Sequence, residues 1–304
     1  MKNIFSAVLM LFTFAAVAGD GWMTNFEEAK AKAAKENKSL LVDFTGSDWC
    51  GYCIELHKNV FSKAAFTAYA KDKFVLVVLD FPEKIQLSAE LKKQNSTLAK
   101  KFNVRGYPTV LIMDANGVPY AKTGNRPGGP AEYNKHLDVF LASKAKYDAA
   151  MKDAQSASGK AKAAKLVKAL SMVSAELYSN YGDIIAEIKK LDPADSSGFV
   201  KTQETKSAFN TFNKAIMGFA RSKDKASGTK AIAAFLEKYK PEGEVKQQVL
   251  FTNVYFLEKP KTKEDITIAN ALMDKIIAIN PTTQVAAQCA SIKKQAAQFA
   301  KEMK

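Results

Sequence analysis

The sequence predicts an α/β domain followed by an all-α half, and three observations carry that reading. Through roughly the first 145 residues, short apolar runs of strand character alternate with segments of helical spacing. From about Lys146 the strand-like runs stop, and Ala, Lys, Gln and Met rise. The composition, 47% apolar and 25% charged with only 15 Gly and 9 Pro in 304 residues, is that of an ordinary globular chain, neither disordered nor collagen-like. At roughly 100–200 residues per domain the length implies two domains, each large enough to fold without disulfide staples.

The elements follow in order. Residues 1–18 (MKNIFSAVLMLFTFAAVA) carry one Lys, an apolar run over 4–14 and a small-x-small site at 16–18, the pattern of a secretory signal peptide. The run falls short of the roughly 18–20 residues that span a bilayer, so the mature chain is expected to begin near Gly19, without membrane insertion, exported to the periplasm or secreted. Residues 25–37 have good helix formers with acidic residues first and basic residues later, as the helix dipole prefers. Residues 38–45 (KSLLVDFT) and 74–80 (FVLVVLD) read as buried strands, with helical spacing over 50–70 between them. A helical or partly looped stretch over 84–101 leads to a third strand at 109–113, the Asn116-Gly117 turn and a fourth strand at 118–122. A Gly/Pro loop at 124–130 and a helix over 131–143 close the domain, which is set at 19–145.

Residues 146–304 read as helical throughout. Amphipathic stretches end at Asp192-Pro193, Lys240-Pro241 and Asn280-Pro281, a spacing compatible with either a bundle or helical-hairpin repeats. The net charge of +14, from 45 basic and 31 acidic residues, is spread over both halves. Nucleic-acid binders concentrate such charge in a stripe, so solvated Lys-rich helix faces are the better reading and no nucleic-acid partner is expected.

Three cysteines are too few for a stapled scaffold, and two of them form the one sharp motif, Trp49-Cys50-Gly51-Tyr52-Cys53, where a strand gives way to a helix. A thiol at a helix start faces unpaired amides and the positive end of the dipole, so Cys50 is expected to be the more acidic and more exposed. Cys50 would attack a substrate disulfide, and Cys53, one turn further in, would resolve the mixed disulfide. A structural disulfide or half of a zinc site is the alternative, with His57 and the distant His136 as further ligands. His57 by itself reads as a surface helix residue or a charge partner for Cys50. Cys289, with no cysteine near it in sequence, reads as a small buried side chain or a bridge between two chains.

These residues resemble the thioredoxin superfamily. Leu41-Val42-Asp43-Phe44, Trp49-Cys50-x-x-Cys53, Arg105-Gly106-Tyr107-Pro108-Thr109 and Asn116-Gly117 match that family's motifs in order, over about residues 26–141. The resemblance implies a thioredoxin fold and a thiol-disulfide oxidoreductase with no cofactor beyond a redox-active Cys50–Cys53 disulfide. By the same likeness Pro108 is the family's cis-proline beside the cysteines, and Tyr107 presents its backbone to an extended substrate. Asp43 is the buried carboxylate that accepts a proton from Cys53. Trp49 and Tyr52 fall on the substrate-facing rim. The chain departs from the pattern by one extra residue between Asp43 and Trp49, by an insertion within 81–101, and by an apolar residue in the 74–79 run where many thioredoxins carry a lysine. Gly51-Tyr52 is similar to the pair in periplasmic disulfide isomerases and leans the reading toward an isomerase. The expected partners are cysteine-containing client proteins and a redox partner protein, with the helical half serving partner binding or homodimerisation. A helical scaffold with a thioredoxin-like docking module, and a dedicated reductant of one pathway, are the competing functions.

Overall fold

The computed structural model describes residues 21–258 and 260–302. The expected signal peptide at 1–18 lies outside them. The chain divides into two compact units, the first ending at Pro193 and the second beginning at Ala194.

The first unit is built on a five-stranded mixed sheet in the order β1-β3-β2-β4-β5: β1 Trp22–Met23, β2 Ser39–Thr45, β3 Phe74–Asp80, β4 Thr109–Met113 and β5 Pro119–Thr123. β3 runs parallel to β1 and β2, while β4 is antiparallel to β2 and β5. β2 is therefore central, and its apolar run is buried on both faces, as a strand covered by helices requires. The two-residue β1 is too short to leave an alternation in the sequence, and no strand was expected there.

Helix α1, Phe26–Glu36, starts where the Asn25 side chain accepts from the backbone N–H groups of Glu27 and Glu28, and ends at Asn37 in the left-handed region (φ 51°). With α4, Ala89–Lys101, it covers one face of the sheet, where Phe102 meets Phe26 and Phe44 edge to face. The other face packs Leu41, Leu76, Val110 and Ile112 against Phe61, Phe66, Tyr133 and Leu137. Those side chains come from α3, Ala64–Lys73, from α5, Gly129–Gln155, and from the turn that precedes α3. The helical spacing over 50–70 is realised as α2, Gly51–Leu56, then a π-helical turn at His57–Phe61, then α3.

The expected boundary at 145 falls inside α5, which runs 27 residues instead of closing at 143. No Gly or Pro interrupts that segment after Pro130, so nothing stops the helix until Ser156. α6, Gly159–Leu170, and α7, Gly182–Leu191, belong to the same unit, burying Leu166, Leu170 and Ile188. The intervening 3₁₀ turn, Ala175–Asn180, is fastened to the sheet edge: Lys122 pairs with Glu176 at 3.0 Å, and the Tyr181 hydroxyl donates to the Pro119 carbonyl at 3.1 Å. A loss of strand-like sequence thus marked a change of composition but not the end of a compact unit.

The second unit is helical: α8 Phe199–Arg221, α9 Lys225–Tyr239, α10 Gly243–Phe251, α11 Lys263–Ile279 and α12 Gln284–Glu302. Packing joins sequence neighbours, α8 with α9 and α11 with both α10 and α12. One core gathers Phe212, Ile216, Ile232, Phe235, Val249 and Phe256, and a second gathers Met273, Ile276 and Cys289. Cys289 is a free thiol fully buried there, not on a surface where it would reach a second chain.

A chain ending at residue 193 is expected to unfold cooperatively in urea. One ending at 145, which cuts α5 and uncovers β5, is expected to lose on the order of 2 kcal/mol, the worth of one or two large buried side chains. Equal unfolding free energies would contradict the assignment of α6 and α7 to this unit.

Candidate functional site

β2 delivers the chain to the site. It ends at Thr45, and a short turn leads to Cys50, which is the N-cap of α2. Cys50 and Cys53 form a disulfide, and the backbone N–H of Cys53 points at Cys50 Sγ at 3.3 Å. A backbone N–H so placed favours negative charge on Cys50 Sγ. The expected contrast in exposure is slight, 7% for Cys50 and 3% for Cys53.

Trp49 is 43% exposed and lies on the rim, its indole N–H donating to the Phe81 carbonyl at 2.8 Å. The ring lies so close over Gly46 that a Cβ there would sit 2.6 Å from it, so only glycine leaves room for the indole. Tyr107 stacks on Phe81 at 5.0 Å and meets the edge of Trp49 at 5.9 Å. Through those two rings the Tyr107–Pro108 loop, whose peptide bond is cis, is joined to the cysteine loop. Burial raises the Tyr107 hydroxyl's pKa. Tyr52, 69% exposed, projects from the first turn of α2.

Asp43 sits on the central strand, paired in register with Val78 of β3 and Val110 of β4. Val78 lies in the apolar 74–79 run, in which an apolar residue was expected to replace the lysine of many thioredoxins. One carboxyl oxygen of Asp43, Oδ1, is buried with no hydrogen-bond partner among the described residues. Burial, and then the charge of Asp80, push its pKa up to about 8. Asp43 and Cys53 both line a cavity of about 370 Å³ together with Asp80, His57, Ile54 and Ile85.

Sequence reasoning missed three residues that shape this site. Asp80 accepts from the Ser47 N–H at 2.9 Å and the Ser47 hydroxyl at 2.6 Å, fixing the turn ahead of the cysteines. Asp48 accepts from the backbone N–H groups of Glu83, Lys84 and Ile85, tying the insertion to the cysteine loop. Burial raises the Asp48 pKa, but those three bonds together outweigh it and hold the carboxyl below its usual range. Asn95 donates to the Asp80 carbonyl at 2.9 Å from the other end of the insertion. Short polar residues beside a turn were the available signal, but nothing local names their partners 15 to 37 residues away.

His136 is not at the cysteines' cavity; its ring contacts the Thr123 hydroxyl at 3.2 Å and the Phe140 ring. Among the described residues, no group of three or more His, Cys, Asp and Glu side chains is gathered as a metal site would be. No helix among them is long and apolar enough to cross a membrane.

The sequence model of the thioredoxin-like domain family matches residues 26–139. Residues 26–139 are a thioredoxin-like domain. The chain is 32% identical over 109 residues to the disulfide bond reductase DsbH of Chlamydia pneumoniae, covering 36% of this chain and 66% of that protein. It is 29% identical over 92 residues to the thioredoxin-related protein DsbJ of the same organism, covering 30% of this chain and 26% of that one. A third relative is the thiol:disulfide interchange protein DsbD of Actinobacillus pleuropneumoniae serotype 5b (strain L20), 33% identical over 105 residues, 34% of this chain and 16% of that protein. The chain thus spans just under two thirds of the first of these curated relatives and far less of the others. Among solved structures, one titled DsbH Oxidoreductase is 30% identical, covering 40% of this chain and 83% of that one with a TM-score of 0.38.

The Asp43 carboxyl gives the thioredoxin-like domain a signed pH dependence. Its folded pKa, about 8, lies above the unfolded value, so its contribution is fully present below the unfolded pKa and is lost as pH rises toward and through 8. Asp43→Asn is therefore expected to be more stable than the parent at pH 8 by a few kcal/mol and nearly equal to it at pH 4, measured by urea unfolding. A difference that does not grow with pH would contradict the buried, unpartnered carboxyl.

Proposed function

We propose that the protein is an exported thiol-disulfide oxidoreductase acting on protein disulfides through the Cys50–Cys53 pair. The observation that carries this reading is the disulfide at the N-cap of α2, with a buried carboxyl on one side and an aromatic rim on the other. A metal or purely structural pair has no need of either flank.

In the reducing direction the Cys50 thiolate attacks one sulfur of a client disulfide. The other client sulfur leaves as a thiolate and takes up a proton, and Cys50 is left in a mixed disulfide. Cys53 then passes its proton to Asp43 and attacks Cys50 Sγ, which releases the second client thiolate and restores the internal disulfide. Two electrons pass to the client, and a redox partner protein returns them to Cys50 and Cys53. A carboxyl with pKa near 8 matches the ordinary thiol value of about 8.5, so the proton moves between Cys53 and Asp43 with little free-energy change. In the same reading Pro108 and the Tyr107 backbone receive an extended client segment, with Trp49 and Tyr52 against its side chains.

Two finer readings differ in direction. Likeness to a protein named disulfide bond reductase favours a reductant, and Gly51-Tyr52 favours an isomerase. With Cys289→Ala as background, the pair is expected to show a reversible two-electron transition against a glutathione series, followed by thiol alkylation. A low midpoint with insulin reduction would identify the reductant, and a high midpoint with reshuffling of a scrambled disulfide protein the isomerase. Absence of any transition would overturn the oxidoreductase reading. Export rests on the pattern of residues 1–18. N-terminal sequencing of the protein from an envelope fraction is expected to begin at Gly19, and an intact Met1 in the cytosol would contradict it.

A further inference from the structure

The cavity beside Cys53 has a floor and a mouth of different chemistry. Asp43 from β2 and Asp80 from β3 supply its carboxyl groups. The insertion supplies an apolar wall through Ile85, Leu87 and Leu91. His57 and Lys58 come from the π-helical turn that interrupts the helix after Leu56. Such turns are rare and occur mostly at functional sites. His57 lines the cavity and is also exposed to solvent, so it touches both compartments.

A proton given by Cys53 to Asp43 has to leave a largely buried carboxyl at the floor of the cavity, 7% exposed. Of the titratable groups around the cavity, Asp80 is engaged by the N–H and hydroxyl of Ser47. A lysine ammonium keeps its proton far above neutral pH. An imidazole is the side-chain type that takes up and releases a proton near neutrality. The lining residues from β1 and the turn after it, Trp22 and Thr24, and from the 81–101 segment, Ile85, Leu87, Leu91 and Asn95, carry no charge. At about 370 Å³ the cavity is large enough for several water molecules of about 30 Å³ each.

We propose that His57 is the proton relay between Asp43 and bulk solvent. The proton passes from Cys53 Sγ to Asp43, through water in the cavity to the imidazole, and from the imidazole to bulk water; client reoxidation of the pair runs it outward, and reduction by the partner runs it inward. No further oxidant or reductant is needed. His57 acts through Asp43, not on the sulfurs, and the inference rests on the oxidoreductase reading above.

The test uses the reduced full-length protein and oxidised glutathione, followed by tryptophan fluorescence. At saturating glutathione disulfide the plateau rate reports the attack of Cys53 on the mixed disulfide. At pH 7, His57→Gln is expected to lower that plateau roughly threefold to tenfold, a modest share of the ~10²–10⁴ available from general acid–base catalysis. The midpoint against glutathione stays unchanged, because a relay alters the path and not the end states. Free imidazole restores the rate, and in an Asp43→Asn background His57→Gln slows it no further. An unchanged plateau, a shifted midpoint, a loss that imidazole does not restore, or a full additional loss beside Asp43→Asn would each overturn the relay. If the parent protein fails to exchange with glutathione at all, the oxidoreductase reading falls and takes the relay with it; if it exchanges normally, only the relay is at stake.

Discussion

The carboxyl of Asp43 lies in the middle of the sheet with one oxygen unpartnered, a placement that opposes folding once the group ionises. The fold tolerates it because β2 is held on both sides by full ladders to β3 and β4 and covered on both faces by helices. The same rigidity fixes where β2 ends and therefore where Cys50 and Cys53 begin, one turn of chain later. A flexible support would let Asp43 find a hydrogen-bond partner, and its proton affinity would fall back toward that of an ordinary carboxylate. The chemistry proposed for Cys53 depends on that failure to relax.

Around this centre the segment 81–101, which includes α4, does more than lengthen a loop. It is pinned to the cysteine loop by Asp48 and to the end of β3 by Asn95, while Gln94 bridges the Thr24 carbonyl and the Phe26 N–H at the start of α1. Fastened at those points, it places Phe81 under Tyr107 and Trp49 on one side and Ile85, Leu87 and Leu91 along the cavity on the other. Both flanks of the disulfide are therefore shaped by one segment.

Reading by apolar runs, helix formers and breakers succeeded where a signal is local. β3 was delimited at 74–80 by its β-branched run, and the helix read over 25–37 from its helix formers and charge order spans α1 with the two asparagines that cap it. The proline-terminated helices α7, α9 and α11 were legible for the same reason, each end being followed by a residue that cannot continue a helix. Failure came with length and context. The 27-residue α5 carries no mark at 145, and the attachment of α6 and α7 to the sheet edge rests on Tyr181 and Glu176 meeting residues more than 50 positions earlier.

The sequence by itself determined the Cys50–Cys53 spacing, the helix start on which it sits, the strand that carries Asp43 and the order of strands and helices from α1 to β5. Those features depend on residue type, spacing and period, which a linear chain records directly. Only the tertiary structure decided that Asp80 and His57 share a cavity with Asp43 and Cys53, that Trp49 is seated on Gly46, and where the first compact unit ends. Each of these is a meeting of side chains set by how layers pack, and packing is a property of the whole core that no local stretch of sequence contains.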